Sequence, residues 1–254
     1  MKFSANLGFL WSELSLPEAI HAAKAAGFDA VECHWPYDTP SDAVAQALIE
    51  TGLPMLGLNT RQGDVSGGEN GLSALPGRET EARAAIDEAL AYGVAIKAEN
   101  IHVMAGFAAG DAAHDTFLTS LGYACEQAAQ HNMTILIEPL NHYDAPGYFL
   151  TTTVQAKTII NAVNATNLGL MFDCYHVQMM EGNLTHRLHD LRTLIGHIQF
   201  ASVPDRGAPD HGEINYAHVF AEIENTGWDA PVGAEYKPNG PTDDTLGWLS
   251  RAKA

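Results

Sequence analysis

Apolar residues along this chain follow two alternating rhythms. Short, nearly continuous runs are separated by longer stretches in which apolar positions recur every three or four residues. The first rhythm belongs to strands buried on both faces of a parallel sheet, the second to amphipathic helices packed against it. The runs predict strands near Phe3–Phe9, Ala30–Trp35, Met55–Thr60, Asn100–Gly106, Thr134–Leu140, Leu168–Asp173, His197–Ser202 and Val232–Tyr236. The alanine-rich periodic stretches predict helices over Pro17–Ala26, Asp42–Glu50, Glu79–Tyr92, Asp115–Gln130, Thr153–Val163, Leu184–Leu194, Tyr216–Asn225 and Thr242–Ala252. Pro17 suits a first helical turn, and Gly27 and Gly52 follow helices where a left-handed residue ends them. Eight β/α alternations without a break in composition predict an α/β fold, a single-domain (β/α)₈ TIM barrel over residues 1–254. A doubly wound open sheet is the rival, because alternation alone does not require closure.

Four of the apolar runs carry a polar oxygen at their far end: Glu138 after Ile135-Leu136-Ile137, Asp173 after Leu170-Met171-Phe172, Gln199 within His197-Ile198-Gln199-Phe200, and Glu235 after Val232-Gly233-Ala234. An ionisable group in such a run is costly unless paired or bound to a cation. Barrel active sites form at the C-terminal ends of the strands, so four such groups on successive strands predict one cluster of three carboxylates and an amide. An all-oxygen set of this kind suits Mg²⁺ or Mn²⁺. The competing account pairs Glu138 and Glu235 with cations, of which Lys237 is nearest to Glu235 in sequence. Asp173 has a second account as the cap of a following helix, and Gln199 as an amide that only knits backbone.

Composition narrows the function further. Hydrophobic residues make up 46% of 254 residues and the mean hydropathy is −0.09, which predicts a soluble globular protein. No apolar run approaches the roughly 18–20 residues of a membrane span. The run Met1–Leu7 enters a strand at once without a signal-peptide core, and three cysteines lack framework spacing, so the expected location is cytoplasmic. The formal net charge of −18 opposes a phosphate backbone, which disfavours nucleic acid as a partner. The expected partner is a small molecule, with membrane binding disfavoured and homo-oligomerisation left open. An anionic substrate would need local cations.

Other residues near these strand ends carry weaker signals. His176, three residues beyond Asp173, has three open roles: metal ligand, proton relay, or a hydrogen-bonding group that orients substrate. With four oxygen ligands already present the last is preferred. His142 is similar but weaker, His102 reads as a core histidine, and Cys174 as a buried inert thiol. The glycine-rich stretch Arg61–Gly71 suits either a mobile lid or a plain flexible loop.

The stretches Ile137-Glu138-Pro139-Leu140-Asn141-His142, Asp173-Cys174-Tyr175-His176-Val177-Gln178, Gly212-Glu213-Ile214-Asn215-Tyr216 and Glu235-Tyr236-Lys237-Pro238 together resemble the hydroxypyruvate isomerase family, within the wider xylose-isomerase-like barrels. Phe3–Leu7, Trp35–Asp38 and Ala74–Glu79 match as well, so the resemblance covers nearly the whole chain. It implies Glu138, Asp173, Gln199 and Glu235 as ligands of a divalent metal. It also implies Glu138 and Glu235 as the pair that exchanges protons with substrate. The implied reaction is an aldose–ketose interconversion of hydroxypyruvate and 2-hydroxy-3-oxopropanoate through an enediolate. His176, Lys237 and Arg206 are the candidate substrate contacts, the last two for its carboxylate. Two stretches, Gly71–Gly77 and Val203–Arg206, are more similar to the sister group acting on four-carbon 2-oxo-tetronates. The motif beside the predicted ligands is weighted above them. A metal-assisted hydride shift is an alternative to proton transfer. An epimerase, a dehydratase, an apurinic-endonuclease-like nuclease and a non-catalytic binding protein are the rival classes.

Overall fold

The computed structural model describes residues 1–253. In chain order the strands are β1 Phe3–Asn6, β2 Ala30–Glu32, β3 Gly57–Asn59, β4 Asn100–His102, β5 Thr134–Ile137, β6 Leu168–Asp173, β7 Ile195–Phe200 and β8 Val232–Ala234. The helices are α1 Leu16–Ala26, α2 Ser41–Thr51, α3 Glu79–Ile96, α4 Asp111–Ala129, α5 Thr153–Val163, α6 Cys174–Met180, α7 Leu184–Leu191, α8 Tyr216–Asn225 and α9 Gly247–Lys253. All strand pairs are parallel, in the order β2-β1-β8-β7-β6-β5-β4-β3. The two ends of that order meet. Val31 N–H donates to Pro54 C=O at 3.0 Å, Leu56 N–H to Val31 C=O at 2.7 Å, and Cys33 N–H to Gly57 C=O at 3.0 Å. These bonds close the sheet, so the fold is a (β/α)₈ barrel and the open-sheet rival is excluded.

Helix placement follows burial. α3 buries Ala82, Ala85, Ile86, Ala89, Leu90, Gly93 and Ile96, one stripe at three- and four-residue spacing that lies on the barrel wall. Fully burying one such isoleucine contributes roughly 1.5–3 kcal/mol. α9 is anchored by Trp248, whose ring packs edge-on against Phe3 and Phe200, both at 5.2 Å. Gly27 and Gly52 end α1 and α2 in the left-handed conformation, with φ of 91° and 67°. Among the described residues no helix is long and apolar enough to cross a membrane.

Six of the strands are shorter than their apolar runs; β6 spans the predicted Leu168–Asp173, and β7 lies two residues earlier than predicted. β1 ends at Asn6 and β8 at Ala234, although Leu7, Leu10, Trp11 and Tyr236 stay buried. Apolar pattern reports burial, and past the barrel rim the chain remains buried after regular strand pairing has stopped. The largest local departure is α6, which the irregular pattern after Asp173 did not predict. It starts on Asp173 itself, whose Oδ1 accepts the Tyr175 N–H at 2.9 Å as an N-cap. The predicted helix over Thr242–Ala252 splits into a 3₁₀ turn at Thr242–Thr245 and α9. Thr242 Oγ1 accepts the Trp11 N–H at 2.8 Å, a side-chain bond that competes with regular helix.

The glycine-rich loop after β3 is tied down at several points. Asp64 caps a 3₁₀ turn at Val65–Gly67, and Glu69 pairs with Arg78 at 2.7 Å. Gly71 sits at φ 116°, where a Cβ would come within 2.7 Å of the Met104 carbonyl. Glycine there permits a close backbone crossing as well as any mobility.

Candidate active site

The C-terminal ends of the strands bring Glu138, Asp173, Gln199 and Glu235 to one mouth. Asp173 and Gln199 are cross-strand partners, Gln199 is level with Gly233, and Glu235 follows two residues later on the same face. All four are buried, none more than 6% exposed. Oxygens of Glu138 and Asp173 and Nε2 of His176 lie within 4.8 Å of one another.

The bonding of these groups is incomplete in a directed way. Seven buried side-chain polar atoms lack a partner among the described residues, and six are gathered here: His102 Nε2, Glu138 Oε1, Asp173 Oδ2, His176 Nε2, Gln199 Oε1 and Arg206 Nε. Buried polar atoms are normally satisfied, so this concentration marks a place built for a ligand. Three of the six are oxygens from the predicted ligand set. Glu235, by contrast, is held from several sides: Oε1 accepts from Asn6 Nδ2 at 3.0 Å and meets His34 Nε2 at 2.8 Å, and Oε2 accepts from Arg206 Nη2 at 2.7 Å. Oε2 takes one hydrogen bond and keeps a second lone pair, so these contacts leave Glu235 able to ligate through that oxygen. The donor set therefore fits a hard divalent cation, which Glu138, Asp173, Gln199 and Glu235 would hold.

Electrostatics separate the carboxylates. Burial pushes the Glu138 carboxyl well above the usual range, and the charges of Glu235 and Asp173 push it further. Burial and Glu235 push Asp173 up to about 7, against the opposing pull of Arg206. Burial also acts on Glu235, but the Arg206 guanidinium and the His34 hydrogen bond overcome it and hold the group below the usual range. A divalent cation among them would favour all three ionised forms.

His176 has a defined tautomer. Its Nδ1 accepts the Asn141 backbone N–H at 3.0 Å, so the proton of the neutral ring lies on Nε2. Burial, then the charge of Arg206, keeps the ring neutral. Nε2 is 3.9 Å from Glu138 Oε1 and 3.7 Å from Asp173 Oδ2. By distance alone His176 qualifies as a metal ligand, but an N–H cannot ligate, and the tautomer makes it a donor aimed at the mouth.

Of the two candidate cations, the structure brings in one. Arg206 lies between the rings of Phe9 and Tyr175, 5.0 Å from each, and its Nη1 is 3.6 Å from Asp144 Oδ2. It adopts φ 56°, a conformation uncommon outside glycine and often retained at functional positions. Lys237 is exposed, with Nζ 5.9 Å from the Phe9 ring, and it has no ion pair among the described residues. His142 is exposed and stacks on Tyr143, while His102 Nδ1 stands 3.7 Å from Glu138 Oε2. Cys174 is fully buried, and burial raises its thiol pKa far above the usual range.

Several residues at the site escaped the sequence reading: Asn6, Glu32, His34 and Asp144. Asn6 and Glu32 are polar residues at the ends of β1 and β2 as Asp173 is at the end of β6, so the same kind of signal was present there.

Residues 20–252 match the model of the xylose isomerase-like TIM barrel family. The chain belongs to that family. It is 41% identical over 251 residues to a 2-oxo-tetronate isomerase of Pectobacterium atrosepticum, covering 97% of this chain and 96% of that one. It is 37% identical over 254 residues to a hydroxypyruvate isomerase of Escherichia coli, covering 98% of each. A crystal structure from Brucella melitensis, named as a family 2 AP endonuclease, superposes with a TM-score of 0.95 at 38% identity over 98% of each chain. With relatives of both isomerase names aligned end to end, the protein is an isomerase.

Proposed function

We propose that this isomerase is a divalent-metal-dependent intramolecular oxidoreductase of the aldose–ketose type, carried by one domain over residues 1–254. Its reading as interconverting hydroxypyruvate and 2-hydroxy-3-oxopropanoate rests above all on one observation. Unpartnered oxygens of Glu138, Asp173 and Gln199 converge beside Glu235, with the Arg206 guanidinium and the His176 Nε2–H at the same mouth. A Mg²⁺ or Mn²⁺ ion held by Glu138, Asp173, Gln199 and Glu235 would supply Lewis-acid polarisation of the substrate carbonyl and acidify the adjacent C–H. One of Glu138 and Glu235 removes the proton from C3 of hydroxypyruvate. The electron pair becomes the C2–C3 double bond of an enediolate, and the other glutamate returns a proton to C2 while the C3 hydroxyl gives up its proton to become the aldehyde and the C2 oxygen takes one up to become the hydroxyl. His176 donates to a substrate oxygen. Arg206 is the favoured partner for the substrate carboxylate, since its fork matches that geometry; Lys237 is the more distant candidate.

A second substrate, 2-oxo-tetronate, has its own support. Arg206, in the stretch that resembles the four-carbon group, contacts Glu235, so that stretch is as close to the chemistry as the Glu138–His142 motif. Both substrates undergo the same C3-to-C2 exchange. A nuclease reading faces a net charge of −18 and no basic surface tract in the sequence.

The test is a panel of three- and four-carbon hydroxy-oxo acids followed by NMR, with chelated enzyme and with Mg²⁺ or Mn²⁺ restored. Chelation is expected to abolish turnover and either ion to restore it, with hydroxypyruvate giving the higher kcat/KM. Full activity in metal-stripped enzyme would sink the metal role. The reverse substrate ranking would move the assignment to 2-oxo-tetronate and keep the reaction type.

A further inference from the structure

Beneath the mouth lies a fourth buried carboxylate, one that the reaction does not use. Glu32, at the end of β2, is 3% exposed inside the barrel. Its Oε2 is 2.8 Å from His197 Nε2 and accepts from Gln199 Nε2 at 3.1 Å, and its Oε1 accepts from Ser4 Oγ at 3.3 Å. Barrel interiors of this kind are mostly filled by branched aliphatic side chains, and a buried ion pair is a poor way to stabilise a core. The space for Glu32 comes from β8. A Cβ on Gly233 would lie 2.1 Å from Glu32 Oε1 and 2.9 Å from Gln199 Cγ. Three strands thus cooperate to seat a carboxylate against one amide: β2 brings Glu32, β7 brings His197 and Gln199, and β8 supplies a residue with no side chain.

The amide has two unlike ends, and that difference gives the arrangement its purpose. A carboxylate only accepts. Facing Glu32, the Gln199 side chain must turn its NH₂ toward it and leave Oε1 as the outward atom, and Oε1 is indeed buried without a partner. Reversed, the amide would set its oxygen against a carboxylate and offer N–H to a cation. An aspartate or glutamate ligand has no wrong way round. An amide ligand does, and so it alone in this set needs a group that fixes its orientation.

We propose that Glu32, lodged in the gap left by Gly233 and tied to His197, is a positioning residue that locks the Gln199 amide with its oxygen toward the cation site. The proposal rests on the reading of Gln199 as a metal ligand. Glu32 acts through Gln199 and touches neither substrate nor cation. Gly233 belongs to the same device, as a glycine retained for the space it leaves.

The experiment measures Mn²⁺ affinity of metal-stripped protein by EPR titration, without substrate, in a mutant cycle. Wild type is expected to bind one Mn²⁺; absence of binding would overturn the cation reading itself, separately from the role of Glu32. Glu32→Ala should weaken affinity about 10- to 100-fold, the range typical of groups that orient a ligand. Gln199→Ala should weaken it comparably, and Glu32→Ala with Gln199→Ala should be no weaker than Gln199→Ala alone. A general loosening of the barrel would instead weaken binding by the same factor whether or not Gln199 is present. That multiplicative result, or wild-type affinity in Glu32→Ala, would overturn the proposal. Gly233→Ala removes no functional group and runs the same cycle should Glu32→Ala fail to fold. It is expected to weaken Mn²⁺ binding only where Gln199 is present, and equal loss in both backgrounds would count against the proposal.

Discussion

Two groups of buried carboxylates share this barrel, and they are treated oppositely. Glu32 has His197, Gln199 and Ser4 around it and no unpartnered oxygen. Glu138 and Asp173 each keep one oxygen with no partner, and burial, then the charge of Glu235, pushes both carboxyls up. Burial does not separate the groups, since all are at most 6% exposed. Satisfaction does. Glu32 is answered within the scaffold, and Glu138 and Asp173 are left open for something that arrives later; Glu235 stands between them, its oxygens met by Asn6, His34 and Arg206 at the mouth itself. The distinction makes different demands on the same substitution, which allows it to be broken.

The largest effect is expected at the mouth, in the unanswered Glu138 and in Glu235 beside it. Glu138→Gln and Glu235→Gln each keep an oxygen ligand but remove a proton carrier, so kcat should fall by about 10²–10⁴-fold. Mn²⁺ occupancy should change less than kcat, and the far-UV spectrum should stay that of wild type, because the mouth of a barrel serves function more than stability. Turnover in D₂O should place deuterium on the carbon that receives the proton. Near-normal kcat in both variants would end the two-glutamate mechanism, and deuterium-free product would point to a hydride shift.

The scaffold carboxylate should show the reverse profile. Removing one member of a buried pair leaves the other uncompensated, which typically costs about 3–5 kcal/mol. Glu32→Ala should therefore lose stability on that order in urea denaturation of metal-free protein, with His197 stranded. A loss below about 1 kcal/mol would show that Glu32 is not answered as its contacts imply.

The barrel was legible because burial on both faces of a parallel sheet leaves continuous apolar runs, and the four polar positions gathered at the mouth because each interrupts such a run near its end. Two kinds of feature were not. α6 has no apolar stripe of its own to announce it; it exists because Asp173 caps it. The choice of Arg206 over Lys237 depends on where a loop turns back between Phe9 and Tyr175, and chain spacing holds no record of that. Asn6 and Glu32 were visible by the same rule that found Asp173, but in β1 and β2 the polar residue serves the site through Glu235 or Gln199. A run-end signal says that a buried polar group is paired or ligating, and the partner decides which.

Asp173 offers the finest test, because it belongs to both worlds. Its Oδ1 caps α6 and is answered, while its Oδ2 is not. Asparagine caps as well as aspartate, so Asp173→Asn should keep the helix and delete only the unanswered charge. In metal-free protein at pH 8 that charge is disfavoured by burial and by Glu235, and the variant should match wild type or exceed it by on the order of 1 kcal/mol. The gap should close on acidification. With the Asp173 carboxyl raised to about 7 in the folded state, folded wild type takes up a proton as pH falls through that value, while the unfolded chain does so only near its ordinary, lower value. Wild type therefore gains stability between those values, and the variant has nothing to titrate there. Saturating Mn²⁺ should invert the order. A ligand at 100 times its Kd stabilises its folded partner by about 2.7 kcal/mol, and the variant, having lost a charged ligand, should gain much less. Parallel thermal melts of the two proteins with chelator and with Mn²⁺ would read this crossing directly. Wild type more stable than Asp173→Asn under both conditions would mean that Oδ2 is answered within the fold after all, and that the carboxylates at the mouth differ from Glu32 only in position.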